Sequence, residues 1–360
     1  MVPPAEPGAA RTPFVPAREL SRAFYAEVVR PLLGGQPHAA GLLGWGSDVL
    51  GYDTARSTDH GWGPRVLVFV ASGEVAERLQ PALDGALPET FRGWPVRYGW
   101  DAVPAAHRVT VTTLPGWLEE FLGVDATAGM ADLDWLLTPQ QRLLGVVAGT
   151  VFADDGGALA RLRTALAWYP GAIWRWLLAC QWHRLAQEEA FVARAAEVGD
   201  ERGSAVAGAR LVRDVMRLAL LLDRRYAPYQ KWLGTAFARG RHEDALPDLL
   251  RSALHARDVA AREAALGRAY EALARRHNGA GLTPPLDPSP RDYHARPARV
   301  LMADRFTDAL LRTVDDPALR ALPPIGAVDQ VVDSTDVLEA PAQFRRLGVL
   351  YPGVGRSPAR

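Results

Sequence analysis

The sequence predicts an α+β protein, with a small mixed sheet covered by helices on one face and an α-helical bundle following it. Three observations carry this. Between Ala39 and Thr113, short runs of β-forming residues are broken by Gly and Pro: AAGLLG, RVLVFV (65–70), VRYGW (96–100) and HRVTVTT (107–113). One helix-like stretch, EVAERLQPAL, interrupts them. Beyond Leu114 the apolar residues recur at helical spacing, and only TVFAD (150–154) reads as a further strand.

Taken in order, residues 1–16 carry five prolines and little apolar content, so they are expected to be disordered. From 17 to 33, Leu20, Phe24, Val28 and Leu32 stand four apart, which predicts one helix face ended by Gly34-Gly35. The sheet domain is expected to span 17–135. Thr138 as N-cap and Pro139 as first helical residue should open the helix in LTPQQRLLGVVAG. Further helices are expected at 158–168, 172–196, 203–226, 244–256 and 258–277. In the third of these Leu211, Val215, Leu218 and Leu222 make an apolar stripe, with Arg210, Arg213, Asp214 and Arg217 on the other side. The bundle is expected over 136–345, with an ordered loop at 279–299 and a tail at 346–360.

A chain of 360 residues suits about two domains. Its 41 basic and 41 acidic residues balance, which argues against nucleic-acid binding by bulk charge. No apolar run approaches the roughly 18 residues of a membrane span, and the N-terminus lacks the charged and apolar regions of a signal peptide. A lone cysteine, Cys180, excludes an internal disulfide and a cysteine-built zinc site. A cytoplasmic protein with neither membrane nor nucleic acid as partner is expected. Of the 41 basic residues all but Lys231 are arginine, which marks Lys231 as a place where a compact ammonium suits better than a guanidinium fork.

The G-x-S-x-G, H-E-x-x-H and G-x-x-x-x-G-K-[ST] patterns are absent, and Gly44-Trp45-Gly46 continues without the third glycine of a dinucleotide fingerprint. The densest unusual stretch is GWGSDVLGYDTARSTDHGWGPRVLVFV, from Gly44 to Val70. A Gly46-Ser47 turn offers backbone N–H groups and a hydroxyl to phosphate. After an intervening eleven residues Asp59 precedes a strand of strong β-formers, a rigid mount for a Mg²⁺ ligand. Arg65 opens that strand with a fork suited to phosphate.

Gly-Ser, a spacer of this length, then an aspartate before a strand resembles the polymerase-β-like nucleotidyltransferase superfamily, whose signature is Gly-Ser, nine to thirteen residues, then Asp-x-Asp. Longer stretches are similar to an uncharacterised nucleotidyltransferase-like family, domain of unknown function 4037. They are STDHGWGPRV, ACQWHRLAQEEAFVARAAEVGDERGSAVAGARLVRDVMRL, RRYAPYQKWLGTAF and GAVDQVVDSTDVL. The resemblance implies a nucleotide triphosphate co-substrate with Mg²⁺ on Asp59, catalytic roles for Asp59 and Ser47, and nucleotide contacts from Gly46, Ser47, Arg65 and Lys231. It further implies transfer of a nucleoside monophosphate to a hydroxyl of a small-molecule acceptor.

Transfer is the leading expectation; the departures are the evidence for its alternative, a nucleotide-binding or regulatory protein in which catalysis has degenerated. Gly61 stands where the superfamily carries its second carboxylate, and HRVTVTT offers threonines where a third would stand. Two-ion transfer needs two or three carboxylates. Asp48, Asp53 and Asp101 are near enough in sequence to substitute. His60 and Trp62 read as packing residues, and His277-Asn278 as a helix C-cap with favourable dipole placement. Arg184, Gln187, Glu188, Arg194, Glu197, Asp200 and Glu201 read as a solvated face rather than an acceptor pocket.

Overall fold

The computed structural model describes residues 12–101, 103–240, 245–296 and 298–355, and the chain is α+β. Residues 1–11 of the expected disordered lead-in and 356–360 of the expected tail lie outside the described residues. Contacts divide the chain into two compact units. Residues up to Met130 together with Arg142–Ala167 form the first, and Ala131–Gln141 together with residues from Trp168 onward form the second. The expected boundary at 135/136 therefore shifts, because a strand beyond it belongs to the sheet.

The first unit holds a five-stranded mixed sheet. Its strands are β1 (Ala39–Leu42), β2 (Arg65–Phe69), β3 (Arg97–Trp100), β4 (Val103–Thr112) and β5 (Thr150–Asp154), in the order β3-β4-β2-β1-β5. β2 and β4 are parallel, with Arg65 opposite Arg108; the other pairings are antiparallel. The helix Gly73–Ala86 supplies part of the crossover that parallel strands require. TVFAD is β5, and it pairs with β1, which draws residues 142–167 into this unit. Two arginines tie it there: Arg18 donates to the Ala148 carbonyl at 2.8 Å and Arg163 to the Gly149 carbonyl at 2.8 Å.

The first helix differs from expectation in an informative way. It runs Ala17–Phe24, passes through a π-helical turn at Tyr25–Val29, and ends at Arg30–Leu32. A π turn takes up one extra residue, so it advances the inward face by one position. Leu20 and Phe24 are buried as expected, but Val29 and Leu33 then replace Val28 and Leu32 in the core.

The second unit is helical. Its long members are α1 (Gly171–Glu188), α2 (Glu201–Leu222) and α3 (Val259–Gly279). Leu211, Val215 and Leu218 are buried as the stripe requires, but Asp214, placed on the polar side, is buried too. Thr138 does not cap forward; its hydroxyl donates back to the Asp134 carbonyl at 2.7 Å. Residues 345–350 form a 3-10 helix and Tyr351 is buried, donating to the Gly326 carbonyl at 2.9 Å, so the expected tail is packed as far as Val354. No helix among the described residues is long and apolar enough to cross a membrane.

Two buried groups in this unit titrate in opposite senses. His277 is not a dipole-facing cap. Its Nδ1 accepts from the Trp182 indole at 3.2 Å and its Nε2 meets the Thr283 hydroxyl at 2.9 Å, and burial lowers its pKa to about 4. Glu189 accepts from the Leu301 and Ala303 amides at 2.7 and 3.0 Å, and burial lifts its pKa to about 7. The unfolded chain protonates its histidine first, so the stability due to His277 is present above pH 6.5 and is lost as pH falls towards 4. Glu189 has the reverse sign: its contribution is complete below pH 4.5 and is lost as pH rises through 7.

Two tests follow from this fold. Val29→Ala should cost about 2 kcal/mol in urea unfolding, and Val28→Ala less than about 1 kcal/mol; equal costs would remove the face shift. Between pH 7 and pH 5 the stability of His277→Gln relative to the parent should rise by about 2 kcal/mol, a difference from which the opposing titration of Glu189 cancels because both proteins carry it. Parallel pH profiles for the two proteins would show that His277 does not titrate as described.

Candidate functional site

The Gly44–Arg65 stretch crosses from β1 to β2 and builds the site within the first unit. After the turn comes a single helical turn, Ser47–Leu50, and then the 3-10 helix Ala55–Asp59. Thr54 caps the latter, accepting from the Arg56 amide at 3.3 Å while its own amide donates to the Ser57 hydroxyl at 3.0 Å.

Gly46 has φ 118° and ψ 151°, a conformation that glycine alone adopts readily. A Cβ there would stand 2.1 Å from the Asp48 carboxylate and 3.2 Å from the Arg65 guanidinium. Asp48 and Arg65 meet at 2.8 Å with side chains only 7% and 10% exposed. Burial raises the Asp48 pKa, and the neighbouring Arg65 charge opposes that rise. Arg65 also donates to the Trp45 carbonyl at 2.7 Å and lies 4.7 Å from the centre of the Trp45 ring. Arg18 holds the helical turn from the other end, donating to the Asp48 carbonyl at 3.2 Å and also to the Val49 carbonyl.

Gly46, Ser47 and Arg65 are thus brought together, but Arg65 faces Asp48 rather than open solvent. Gly46 and Ser47 are half-buried, and the Ser47 hydroxyl makes no hydrogen bond among the described residues. Asp59 does not lead directly into the strand. It ends the 3-10 helix, exposed, six residues ahead of Arg65. Asp53 is committed to structure: its carboxylate accepts from the Ala17 amide at 2.8 Å and the Trp62 indole at 3.0 Å. Asp101 pairs with His60 at 3.5 Å, both exposed. Lys231 belongs to the second unit, exposed on the helix Gln230–Ala238, with its ammonium 5.3 Å from the centre of the Trp232 ring.

Residue types alone did not reveal the aromatic wall beside the turn. Trp45 is 48% exposed, its ring centre 5.4 Å from that of Trp100. Trp100 is flanked by Tyr98 and His60, and the Arg108 guanidinium lies 4.7 Å from the centre of its ring. Gly61, at φ 60°, packs beside it; a Cβ there would touch the Trp100 ring at 3.4 Å. The available signal was the recurrence of Trp45, Trp62 and Trp100 around Gly-rich turns.

The donor set does not fit a two-ion centre. Asp48 is held by Arg65, Asp53 by Ala17 and Trp62, and position 61 has no side chain, which leaves Asp59. Among the described residues no three His, Cys, Asp or Glu side chains converge as a metal site would require. In the second unit, Arg194 and Glu197 line an open depression with Phe191, Val198 and Arg296, while Glu188 pairs with Arg210 at 2.9 Å and Asp200 caps α2.

The Asp48–Arg65 pair sets a stability test. Asp48→Leu should cost about 3–5 kcal/mol in urea unfolding, because it leaves a buried guanidinium without its counter-ion. Asp48→Leu combined with Arg65→Met should cost markedly less. A double variant as unstable as the sum of the two singles would show that the two residues act separately.

No curated protein sequence matches the chain. Among solved structures, that of a nucleotidyltransferase-like protein from Exiguobacterium sibiricum is similar over 83% of this chain and 89% of that one, at 12% identity and a TM-score of 0.35. So remote a likeness carries no argument about chemistry. The family model described as Domain of unknown function (DUF4037) matches residues 135–233, ending in the helix that carries Lys231. Of the stretches quoted above, the one from Ala179 to Leu218 and most of RRYAPYQKWLGTAF fall within that match, and STDHGWGPRV and GAVDQVVDSTDVL fall outside it.

Proposed function

We propose that the sheet unit binds a nucleoside triphosphate and that the chain is a nucleotide-responsive regulatory protein on a nucleotidyltransferase-like scaffold, without transfer activity. The observation that carries this reading is the burial of Asp48 against Arg65. The acid nearest the Gly46-Ser47 turn is neutralised by a guanidinium and is not available to a metal ion. Ser47 keeps a free hydroxyl beside the half-buried turn, and the exposed Trp45 ring next to it offers a stacking face for a base. Affinity on this reading comes from stacking and hydrogen bonds to phosphate, and not from a bridging Mg²⁺.

A second reading, Mg²⁺-dependent transfer of a nucleoside monophosphate to a small-molecule hydroxyl, has one observation in its favour. The Asp59 carboxylate is exposed and makes no hydrogen bond or ion pair among the described residues, so it is free to meet a metal carried in with the nucleotide.

Calorimetric titration with ATP and GTP, in Mg²⁺ and in EDTA, separates the two when run beside a pyrophosphate assay. Binding is expected with affinities within about threefold in the two media, and unchanged to the same extent in Asp59→Asn. Trp45→Ala should lose about 1–3 kcal/mol of affinity. No pyrophosphate should appear. Binding that needs Mg²⁺, with pyrophosphate release abolished by Asp59→Asn, would establish transfer instead. No nucleotide binding in either medium would contradict both readings.

A further inference from the structure

The second unit contains a buried carboxylate that its neighbours leave short of partners. Asp214, on α2, has a side chain 1% exposed, and neither oxygen makes a hydrogen bond among the described residues. Two guanidinium groups stand just beyond that range, Arg184 at 3.6 Å and Arg213 at 3.7 Å. A buried charge in this position is costly, and both arginines are near enough to relieve it by a small rotation.

They do not rotate because another segment holds them. Residues 326–339 carry two short helices, Val328–Val331 and Thr335–Glu339, and lie against the bundle. Arg184 donates to the Gln330 carbonyl at 2.8 Å and Arg217 to the Asp329 carbonyl at 3.1 Å. Arg213 donates to both oxygens of Asp333, at 3.1 and 3.2 Å. Nε and Nη2 of Arg213 make no hydrogen bond, although both are buried.

The two ends of this segment are attached very differently. At its N-terminal end Gln330 is buried, donating to the Leu177 carbonyl at 3.3 Å and to the Gln181 side chain at 2.9 Å. Its C-terminal end is exposed over residues 333–336, and Asp333 itself is 66% exposed. Arg213 is therefore shared between an exposed acid that anchors the loose end and a buried acid that lacks hydrogen bonds.

We infer that Arg213 is a two-position latch: on Asp333 it docks residues 331–339 against the bundle, and on Asp214 it lets them go. In the docked position the Asp333 carboxylate is satisfied and Asp214 is not. In the released position Arg213 gives Asp214 the hydrogen bonds it lacks, and Asp333 is solvated by water at little cost because it is exposed already. The other charged groups at the site, Arg184, Arg217 and Asp329, stay with the fixed end in both positions. No bond is made or broken covalently and no proton moves. Competition for one guanidinium makes the segment bistable.

Amide hydrogen exchange of the full chain tests this, read at the hydrogen-bonded amides of Val332 and Leu338. Asp214→Asn removes the competitor, so exchange at both amides should slow at least fivefold. A purely structural Asp214 gives the opposite sign, because losing a buried group loosens what lies over it. Unchanged or faster exchange in a folded Asp214→Asn protein overturns the latch. Asp333→Asn, at an exposed position that should not disturb folding, is the second arm. It should speed exchange at both amides about tenfold while the amides of α2 keep their protection, since Arg213 falls back on Asp214. Loss of protection along α2 as well, or no change at Val332 and Leu338, would equally overturn it.

Discussion

A carboxylate and a guanidinium that are both nine-tenths withdrawn from water stay charged only if they meet, and in the sheet unit Asp48 and Arg65 do so at 2.8 Å. Much of the site follows from that contact. Arg65 is the first residue of β2, so the pair ties the turn after β1 to the strand beside it. Asp48 sits two residues beyond Gly46, and its carboxylate occupies the space that a side chain at 46 would need. Arg18 holds the other end of the same helical turn and reaches on to residue 148, just ahead of β5, so the loop is fixed from both sides. A site organised around an internal ion pair is rigid without a metal, and it is also poorly suited to recruit one.

Much of this architecture could be read from residue patterns. The alternation in RVLVFV and HRVTVTT, and the helical spacing after Leu114, gave the strands and helices because local sequence and tertiary packing agree there. The misses have definite causes. A π turn shifts a helix face by one residue without any change in composition, so Val28 and Leu32 were indistinguishable from Val29 and Leu33. TVFAD looked like a strand but could not reveal that its partner was β1, more than a hundred residues earlier. Asp214 fell on the polar side of its helix wheel. Its burial depends on Arg184 and on the distant segment 326–333, which the periodicity of one helix does not contain.

For the candidate site, residue types located the Gly46-Ser47 turn and Arg65 but not how they are used. Arg65 was read as a phosphate ligand because a fork at the start of a strand suits phosphate. Its actual partner, Asp48, was visible only as one of three nearby acids. The proximity of Asp59 to the strand suggested a rigid mount, yet the intervening HGWGP turns the chain and leaves Asp59 exposed at the end of a 3-10 helix. The absence of a side chain at Gly61 was readable directly, and the packing of Gly61 beside Trp100 shows that the neighbouring ring has closed over that place.

The most direct measurement of the central claim is the side-chain NMR spectrum of Arg65, assigned by comparison with Arg65→Lys, during a titration with Mn²⁺ and ATP. A guanidinium locked on Asp48 should show slowly exchanging Nη protons that persist through the titration, with no paramagnetic broadening centred on the Asp48 carboxylate. Collapse of those signals, together with broadening focused on Asp48, would mean that the metal takes the carboxylate from Arg65. It would contradict the account of a site held by its own ion pair.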